Sequence, residues 1–230
     1  MGLWIDTDMG GDDIFAILLA MRAKKVDGIS LSFGNAPLPQ VRENAAGAAK
    51  AFGWQTPIYA GADRSILGSV TTAQYALGST GITTRGAKLP ATQADLPDAL
   101  PALADWLAGE EEAEILALGP LTNLAILALC RPDLLHRIGR VTWMGGAVGR
   151  GNHTASAEFN AAADPEAIAI LLARNVPLTI VDLDACRAVE ITEADVADTN
   201  SSPLLRDLLG GYLDIALSRG RPAMALYDPV

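Results

Sequence analysis

Cysteine is almost absent from this chain, which contains only Cys130 and Cys186. The two residues lie far apart and form no C-x-x-C pair, so the sequence predicts neither a disulfide framework nor a zinc knuckle. Both cysteines are expected to be small, buried hydrophobic residues.

Basic residues are scarce as well. The chain has 17 Lys and Arg against 27 Asp and Glu, which gives a net charge of −10. Such a balance repels a phosphate backbone, and we therefore expect no nucleic-acid partner.

Long hydrophobic runs are also missing. The longest uncharged stretch, residues 115–130, has 16 residues and is interrupted by Gly119-Pro120, which is too short and too broken to span a bilayer. The N-terminal MGLWIDTD has neither the basic nor the apolar region of a secretory signal. The sequence predicts a cytoplasmic protein with no membrane partner.

Apolar residues, in contrast, are plentiful. Half of the 230 residues are hydrophobic, enough for a sizeable core, and we expect a single domain over residues 1–230. Strand-like and helical segments alternate along this domain. Strands are predicted at residues 3–7, 28–33, 57–60, 113–118, 141–144 and 178–181. Helices are predicted around Ile14–Met21, at residues 41–52, 98–107, 121–130 and 164–173, and around Leu205–Tyr212.

This alternation predicts an α/β fold with a single open, mostly parallel sheet flanked by helices, a Rossmann-like core. Asp164-Pro165 fixes one helix start, because Asp is a good N-cap and Pro fits the first helical position. Residues 61–97 and 145–157 fit neither element, and loops of that length tend to carry function.

The most informative segment is D-T-D-M-G-G-D-D, which places Asp6, Asp8, Asp12 and Asp13 at the end of the first strand. Ligands of open α/β sheets bind outside such strand ends. A helix N-terminus stabilises a nearby carboxylate by only about 0.3–1 kcal/mol, too little to offset the repulsion of four. A hard divalent cation with oxygen ligands would offset it.

Three other interpretations of this turn exist. A solvated helix cap would need only one of the carboxylates. An EF-hand is excluded because Ile17 occupies the position of the bidentate Glu. A metal-dependent phosphatase remains an alternative, although the chain has no P-loop motif.

The same turn resembles the D-x-D-x-G-x-D-D signature of the inosine-uridine preferring nucleoside hydrolases. The resemblance continues in F-G-N at Asn35, P-I-Y-A-G-A from Pro57, G-P-L-T-N from Gly119 and W-M-G-G-A from Trp143. It extends to A-E-F-N and A-D-P-E between Ala157 and Glu166, and to Tyr227-Asp228-Pro229, where the family usually has His-Asp-Pro. The matches run in order over essentially the whole chain.

The resemblance implies a calcium ion held by Asp8, Asp13, Asp228 and the main-chain carbonyl of Thr122. It further implies that Asp8 acts as general base on a calcium-bound water. The remaining implied contacts are to the substrate: Asp12, Asn35, Met144, Asn152, Glu158, Asn160 and Asp228.

The implied reaction is hydrolysis of the N-ribosidic bond of a nucleoside to ribose and free base, through an oxocarbenium-like state. Such an enzyme serves purine or pyrimidine salvage. The carboxylates favour nucleosides over nucleotides. Family resemblance also implies a homo-oligomer, either a dimer or a tetramer.

The chain departs from the family where the leaving base is activated. Tyr227 replaces a common histidine, and Leu77 aligns with a second one. Tyr227 and His153 are the possible leaving-group contacts. The family also usually continues well beyond its His-Asp-Pro motif, so the domain is expected to lack that C-terminal segment. These departures leave open a catalytically weak or inactive ribose-binding protein.

Overall fold

The computed structural model describes residues 2–92, 95–198 and 202–230. The sequence forms eight strands and ten α-helices within these residues. The strands are β1 Leu3–Thr7, β2 Val26–Leu31, β3 Ile58–Ala60, β4 Ala113–Ala117, β5 Ile138–Met144, β6 Leu178–Val181, β7 Glu190–Ile191 and β8 Met224–Ala225. The helices are α1 Gly11–Ala23, α2 Leu38–Phe52, α3 Gln74–Leu77, α4 Ala99–Gly109, α5 Thr122–Cys130, α6 Phe159–Ala163, α7 Pro165–Ala173, α8 Leu183–Cys186, α9 Glu193–Asp198 and α10 Pro203–Leu217.

Six of the strands form one parallel sheet in the order β3-β2-β1-β4-β5-β6. Every residue of β1 is buried, as expected for a central strand covered on both faces. β7 and β8 pair antiparallel apart from this sheet. The predicted open, mostly parallel α/β sheet is therefore confirmed.

Successive side chains along a strand point to opposite sides of the sheet. The apolar side chains on both sides are covered by helices. Trp4 belongs to the core beneath α4, α5 and α7, together with Leu124 and Trp143. The next residue, Ile5, belongs to the core beneath α1 and α2, together with Ile14. These two cores make β1 the most enclosed part of the sheet.

Helix starts follow their local chemistry. The Asp164 carboxylate accepts a hydrogen bond from the Ala167 backbone N–H (3.1 Å) and caps α7, which confirms that predicted boundary. α2 begins at Leu38, three residues earlier than predicted, with Pro39 in its first turn. Proline is tolerated there because the first helical N–H groups have no partner within the helix.

The prediction that both cysteines are buried is wrong for Cys130. Cys186 is buried, but Cys130 is exposed. α5 packs its first turns into the core, and Cys130 is its last residue, where the helix has left that contact. No helix in the described part of the chain is long and apolar enough to cross a membrane.

Candidate active site

The order of the strands places a crevice at the carboxyl end of β1. β1 and β4 are neighbours, yet the chain leaves β1 into α1 on one face of the sheet and leaves β4 into α5 on the other. Ligands of open α/β sheets bind where the connections diverge in this way. Asp8, Asp12 and Asp13 follow β1 at this point, and all three are buried.

Asn35 fixes the position of two of these carboxylates. Asp8 is only 2% exposed. Its carboxylate accepts hydrogen bonds from the Asn35 backbone N–H (2.6 Å) and from the Asn35 side-chain amide (3.2 Å). The same amide also donates to Asp13 (3.0 Å). Because Asn35 follows β2, the neighbouring strand sets the spacing between Asp8 and Asp13.

The glycine of F-G-N is required by this close approach. A Cβ atom on Gly34 would lie 2.0 Å from a carboxylate oxygen of Asp8. Any side chain at this position would therefore displace Asp8 or the loop that carries Asn35.

Asp13 is held by the start of its own helix. It accepts hydrogen bonds from the Thr7 hydroxyl and from the Gly10 backbone N–H (2.7 Å). A carboxylate at this position also interacts favourably with the positive end of the helix dipole. Met9, between these partners, adopts a left-handed backbone conformation (φ 32°), a local strain of the kind found at functional sites.

Residues near the C-terminus contact the turn that carries Asp12 and Asp13. The carboxyls of Asp228 and Asp13 are in hydrogen-bonding contact. The Tyr212 hydroxyl of α10 donates to Asp12 (2.8 Å). Sequence reasoning placed Tyr212 in an amphipathic helix but missed this contact, because helical periodicity identifies a buried face and not its partner.

Three carboxylates meet closely enough to share one cation. Asp12, Asp13 and Asp228 each offer an oxygen, and these oxygens lie within 4.8 Å of one another. Burial, and then the charge of Asp13, raises the pKa of Asp12 to about 7. Burial and the neighbouring carboxylates raise the pKa of Asp8 and of Asp228 well above the usual value. The cluster therefore resists full ionisation unless positive charge is added.

The donor set fits a hard cation such as calcium, which prefers carboxylate and carbonyl oxygens. Of the four predicted ligands, Asp13 and Asp228 belong to the close cluster, together with Asp12. Asp8 lies beside this cluster, because the Asn35 side-chain amide donates hydrogen bonds to both Asp8 and Asp13. Thr122 begins α5, and its hydroxyl donates to Asp164 (2.5 Å).

The predicted sugar contacts form a second hydrogen-bonded group. Glu158 is buried and accepts hydrogen bonds from the backbone N–H groups of Asn160 (2.8 Å), Ala161 and Gly146 (2.9 Å each). The Asn160 amide donates to the carbonyls of Leu118 (2.8 Å) and Met144 (3.1 Å). These bonds connect the ends of β4 and β5 to α6.

The carboxylates after β1 and the predicted sugar contacts face one cleft. Nine of the predicted site residues line it: Asp8, Asp12, Asn35, Met144, Asn152, Glu158, Asn160, Tyr227 and Asp228. The sequence predicts no helix in residues 61–97, but the structure places the short helix α3 there. Its Tyr75 and Leu77 border the cleft, as does Asn152 of the second long loop. Residues 93 and 94 of the first loop lie outside the described residues.

The two predicted leaving-group contacts differ in position. Tyr227 lines the cleft. Burial raises the pKa of its phenol, as does the charge of Asp12, while the positive charges of Arg221 and Arg187 lower it. The His153 ring packs against Phe159 (5.6 Å between centroids) and Tyr75 (6.3 Å), which do line the cleft. Its buried Nδ1 has no hydrogen-bond partner among the described residues.

The loop that carries Asn152 and His153 is tied to α8. The Arg187 guanidinium donates to the carbonyls of Arg150 (2.6 Å) and Gly151 (3.2 Å). Asp184 accepts from the Gly149 backbone N–H (2.7 Å). Residues 145–157 contain no helix or strand, so these bonds are what positions one wall of the cleft.

Replacing Arg187 with glutamine is therefore expected to loosen this loop. The backbone N–H groups of residues 151–154, which bond to carbonyls within the loop, should exchange about tenfold faster or more, as for the loss of a charged hydrogen bond of about 1.5–3 kcal/mol. Hydrogen exchange read by mass spectrometry measures this. Arg174→Gln, at the exposed end of α7, is the matched control. Equal exchange in both variants would contradict the anchoring role.

Comparisons with known proteins agree with this geometry. Residues 3–230 match the family model described as inosine-uridine preferring nucleoside hydrolase. The pyrimidine-specific ribonucleoside hydrolase RihB of Escherichia coli K12 is 33% identical over 183 residues, which are 78% of this chain and 58% of RihB. The chain thus spans less than two thirds of the length of this relative.

Solved structures of nucleoside hydrolases superpose closely. The plant nucleoside hydrolase PpNRh1 has a TM-score of 0.90 and 27% identity, with 99% of this chain and 76% of that one covered. An inosine-guanosine nucleoside hydrolase has a TM-score of 0.87 and 26% identity, with the same coverage. Since the family model extends from β1 to Asp228 and beyond, and so includes the whole acidic cluster, this chain belongs to the inosine-uridine preferring nucleoside hydrolase family.

Proposed function

We propose that this chain hydrolyses the N-ribosidic bond of nucleosides and releases ribose and the free base. The observation that carries the proposal is the cluster of Asp12, Asp13 and the half-buried Asp228, which lies beside Asp8 at the cleft. Membership of the family supports it, as do the ribonucleoside hydrolase names of its relatives. The amide and carboxylate groups that line the cleft are suited to the hydroxyl groups of a sugar.

Asp13, Asp228, Asp8 and the carbonyl of Thr122 would hold a calcium ion, with Asp12 close by. Calcium, when bound, supplies positive charge that lowers the pKa of a coordinated water and of the carboxyls around it. The oxygen-only cluster and the raised pKa values of its members support this assignment.

Asp8 is the proposed general base. Its two hydrogen bonds from Asn35 hold the carboxylate in one orientation, which a base needs in order to meet a water at a fixed place. It takes the proton of the attacking water as the new bond to C1′ forms. The same Asn35 amide also donates to Asp13, so it holds the two carboxylates in a fixed relation to each other.

Asp12 is proposed to bind a ribose hydroxyl. Its hydrogen bond from Tyr212 leaves the second carboxylate oxygen available. Glu158 and Asn160 would bind further hydroxyls, on the opposite wall. The sugar becomes positively charged as the base departs, and the surrounding carboxylates stabilise that charge. They also disfavour a 5′-phosphate, so nucleosides are the proposed substrates.

The test is ribose release from a panel of nucleosides that includes inosine and uridine, with calcium and with a calcium chelator. We expect release that depends on calcium and no release of phosphate from the matching nucleotides. Nucleoside binding without ribose release, measured by calorimetry, would identify a binding protein instead. Phosphate release from nucleotides would identify a phosphatase.

Association as a dimer or tetramer also stays a prediction, which light scattering would check.

A further inference from the structure

The outer part of the cleft carries positive charge, unlike its floor. Arg219 and Arg221 both line the cleft, in the turn that follows α10. The backbone N–H groups of both residues donate to the carbonyl of Ala216 (3.0 Å each). Gly220 between them adopts a left-handed conformation (φ 71°) that other residues rarely adopt. The turn therefore presents the two arginines at one place on the rim.

These guanidinium groups are available to a ligand. Neither forms an ion pair or a side-chain hydrogen bond with any residue in 2–92, 95–198 or 202–230. Arg187, by comparison, is occupied by Asp184 and the carbonyls of the neighbouring loop. In a chain with a net charge of −10, two unpaired arginines that share a cleft with a cluster of carboxylates are an arrangement that needs an explanation.

The lining of the cleft thus carries both charges, with Asp8 and Asp12 buried, Asp228 half-buried and the two arginines exposed at the outside. Cleavage of an N-ribosidic bond separates charge in the same sense. The sugar becomes positive, and the base retains the electron pair of the broken bond and becomes negative. Fixed charges aimed at the places where charge develops are an effective source of catalysis.

Apart from the carboxyls assigned to the metal, the sugar and the attacking water, the lining offers no strong proton donor for the departing base. No histidine is among the residues that line the cleft in the described part of the chain. Tyr75 and Tyr227 are there, but a phenol with an ordinary pKa near 10 gives up its proton reluctantly at neutral pH. Arginine cannot donate its proton either, but its planar guanidinium binds and stabilises an anion.

We infer that Arg221, assisted by Arg219, stabilises the departing base as an anion, in place of protonation by a general acid. The C1′–N bond breaks, and its electron pair stays on the base nitrogen beside the guanidinium group. Water adds to C1′ and its proton passes to Asp8. The base anion takes a proton from solvent after it leaves the cleft. This inference rests on the proposed hydrolysis.

Uridine and 5-fluorouridine provide the test, because they differ in one small atom that makes the departing base a more stable anion. Arg221→Gln is expected to lower kcat for uridine about 10- to 100-fold, somewhat less than the loss of a buried oxyanion donor. The loss for 5-fluorouridine should be smaller, so the ratio of kcat for 5-fluorouridine to kcat for uridine should rise. Arg221→Lys should recover part of the rate, and Arg219→Gln should show a weaker form of the same change.

Arg174→Gln, remote from the cleft, is the control and should leave both rates unchanged. Equal losses on both substrates in Arg221→Gln, or a change in KM alone, would overturn the inference. A normal rate in both arginine variants would also overturn it. If the parent protein releases no ribose from either nucleoside, the proposed hydrolysis itself fails, and the two failures are thereby distinguished.

Discussion

Replacing Asp8 with asparagine is expected to lower kcat for ribose release by about 10²–10⁴-fold, the usual contribution of a positioned general base. Asparagine preserves the shape of the side chain and one oxygen donor, but it cannot accept the proton of the attacking water. The Asn35 backbone N–H, which donates to Asp8 (2.6 Å), can donate equally to the side-chain oxygen of asparagine at position 8. The loss should therefore fall on kcat, measured with calcium in excess so that the metal site stays occupied.

Asp6→Asn is the matched control for this variant. Asp6 is buried in the same strand and accepts hydrogen bonds from Ser30 and from Asn123 (2.7 Å), but it does not line the cleft. Its substitution should leave kcat within about threefold of the parent. If excess calcium restores the rate of Asp8→Asn, Asp8 serves only to hold the metal and the assignment as base is wrong.

The acidic site was predictable because its residues are adjacent in sequence or end predicted strands. Asp8, Asp12 and Asp13 lie with Asp6 in a stretch of eight residues. The pairing of β1 with β2 brings Asn35 beside them. The sheet was predictable for a similar reason, since alternating strands and helices leave few arrangements that bury both faces. Predicted boundaries differ from the observed ones mostly by one to three residues.

Contacts that depend on distant packing were not predictable. Tyr212 reaches Asp12 across 200 positions of sequence, and only the docking of α10 on α1 brings them together. Arg219 and Arg221 carry no motif, and their place on the rim follows from the turn at Gly220. Cys130 was misplaced because hydrophobic character does not reveal where a helix leaves the core.

The metal-free protein is expected to lose stability as the pH rises from about 4 to about 7. The pKa of Asp6 is raised from 3.8 to about 6 and that of Asp12 from 3.8 to about 7, in both cases chiefly by burial. In this range the folded protein keeps protons that the unfolded chain releases, so rising pH favours unfolding. For Asp6 alone the difference amounts to about 3 kcal/mol.

Calcium should reverse this trend, because it binds the folded cluster and supplies the charge that the protons supplied. At a concentration 100 times its dissociation constant it adds about 2.7 kcal/mol, or roughly 5–10 °C in melting temperature for a chain of this size. The increase should be large at pH 7.5 and small at pH 5, where protons compete for the carboxylates. Thermal unfolding at both pH values, with calcium and with a chelator, measures it.

Thermal unfolding of Asp228→Asn tests whether calcium stabilises the protein by binding this cluster of carboxylates or by a general effect elsewhere on the protein. Asparagine is neutral without taking up a proton, so the substitution should raise the melting temperature of the metal-free protein at pH 7.5, where burial and the charges of Asp12, Asp13 and Asp8 disfavour an ionised Asp228. The asparagine amide can donate a hydrogen bond to Asp13, which the Asp228 carboxyl contacts in the parent. The same substitution should abolish most of the gain from calcium. A variant that is less stable without metal, yet gains as much from calcium as the parent, would show that Asp228 supports the fold and does not hold the ion.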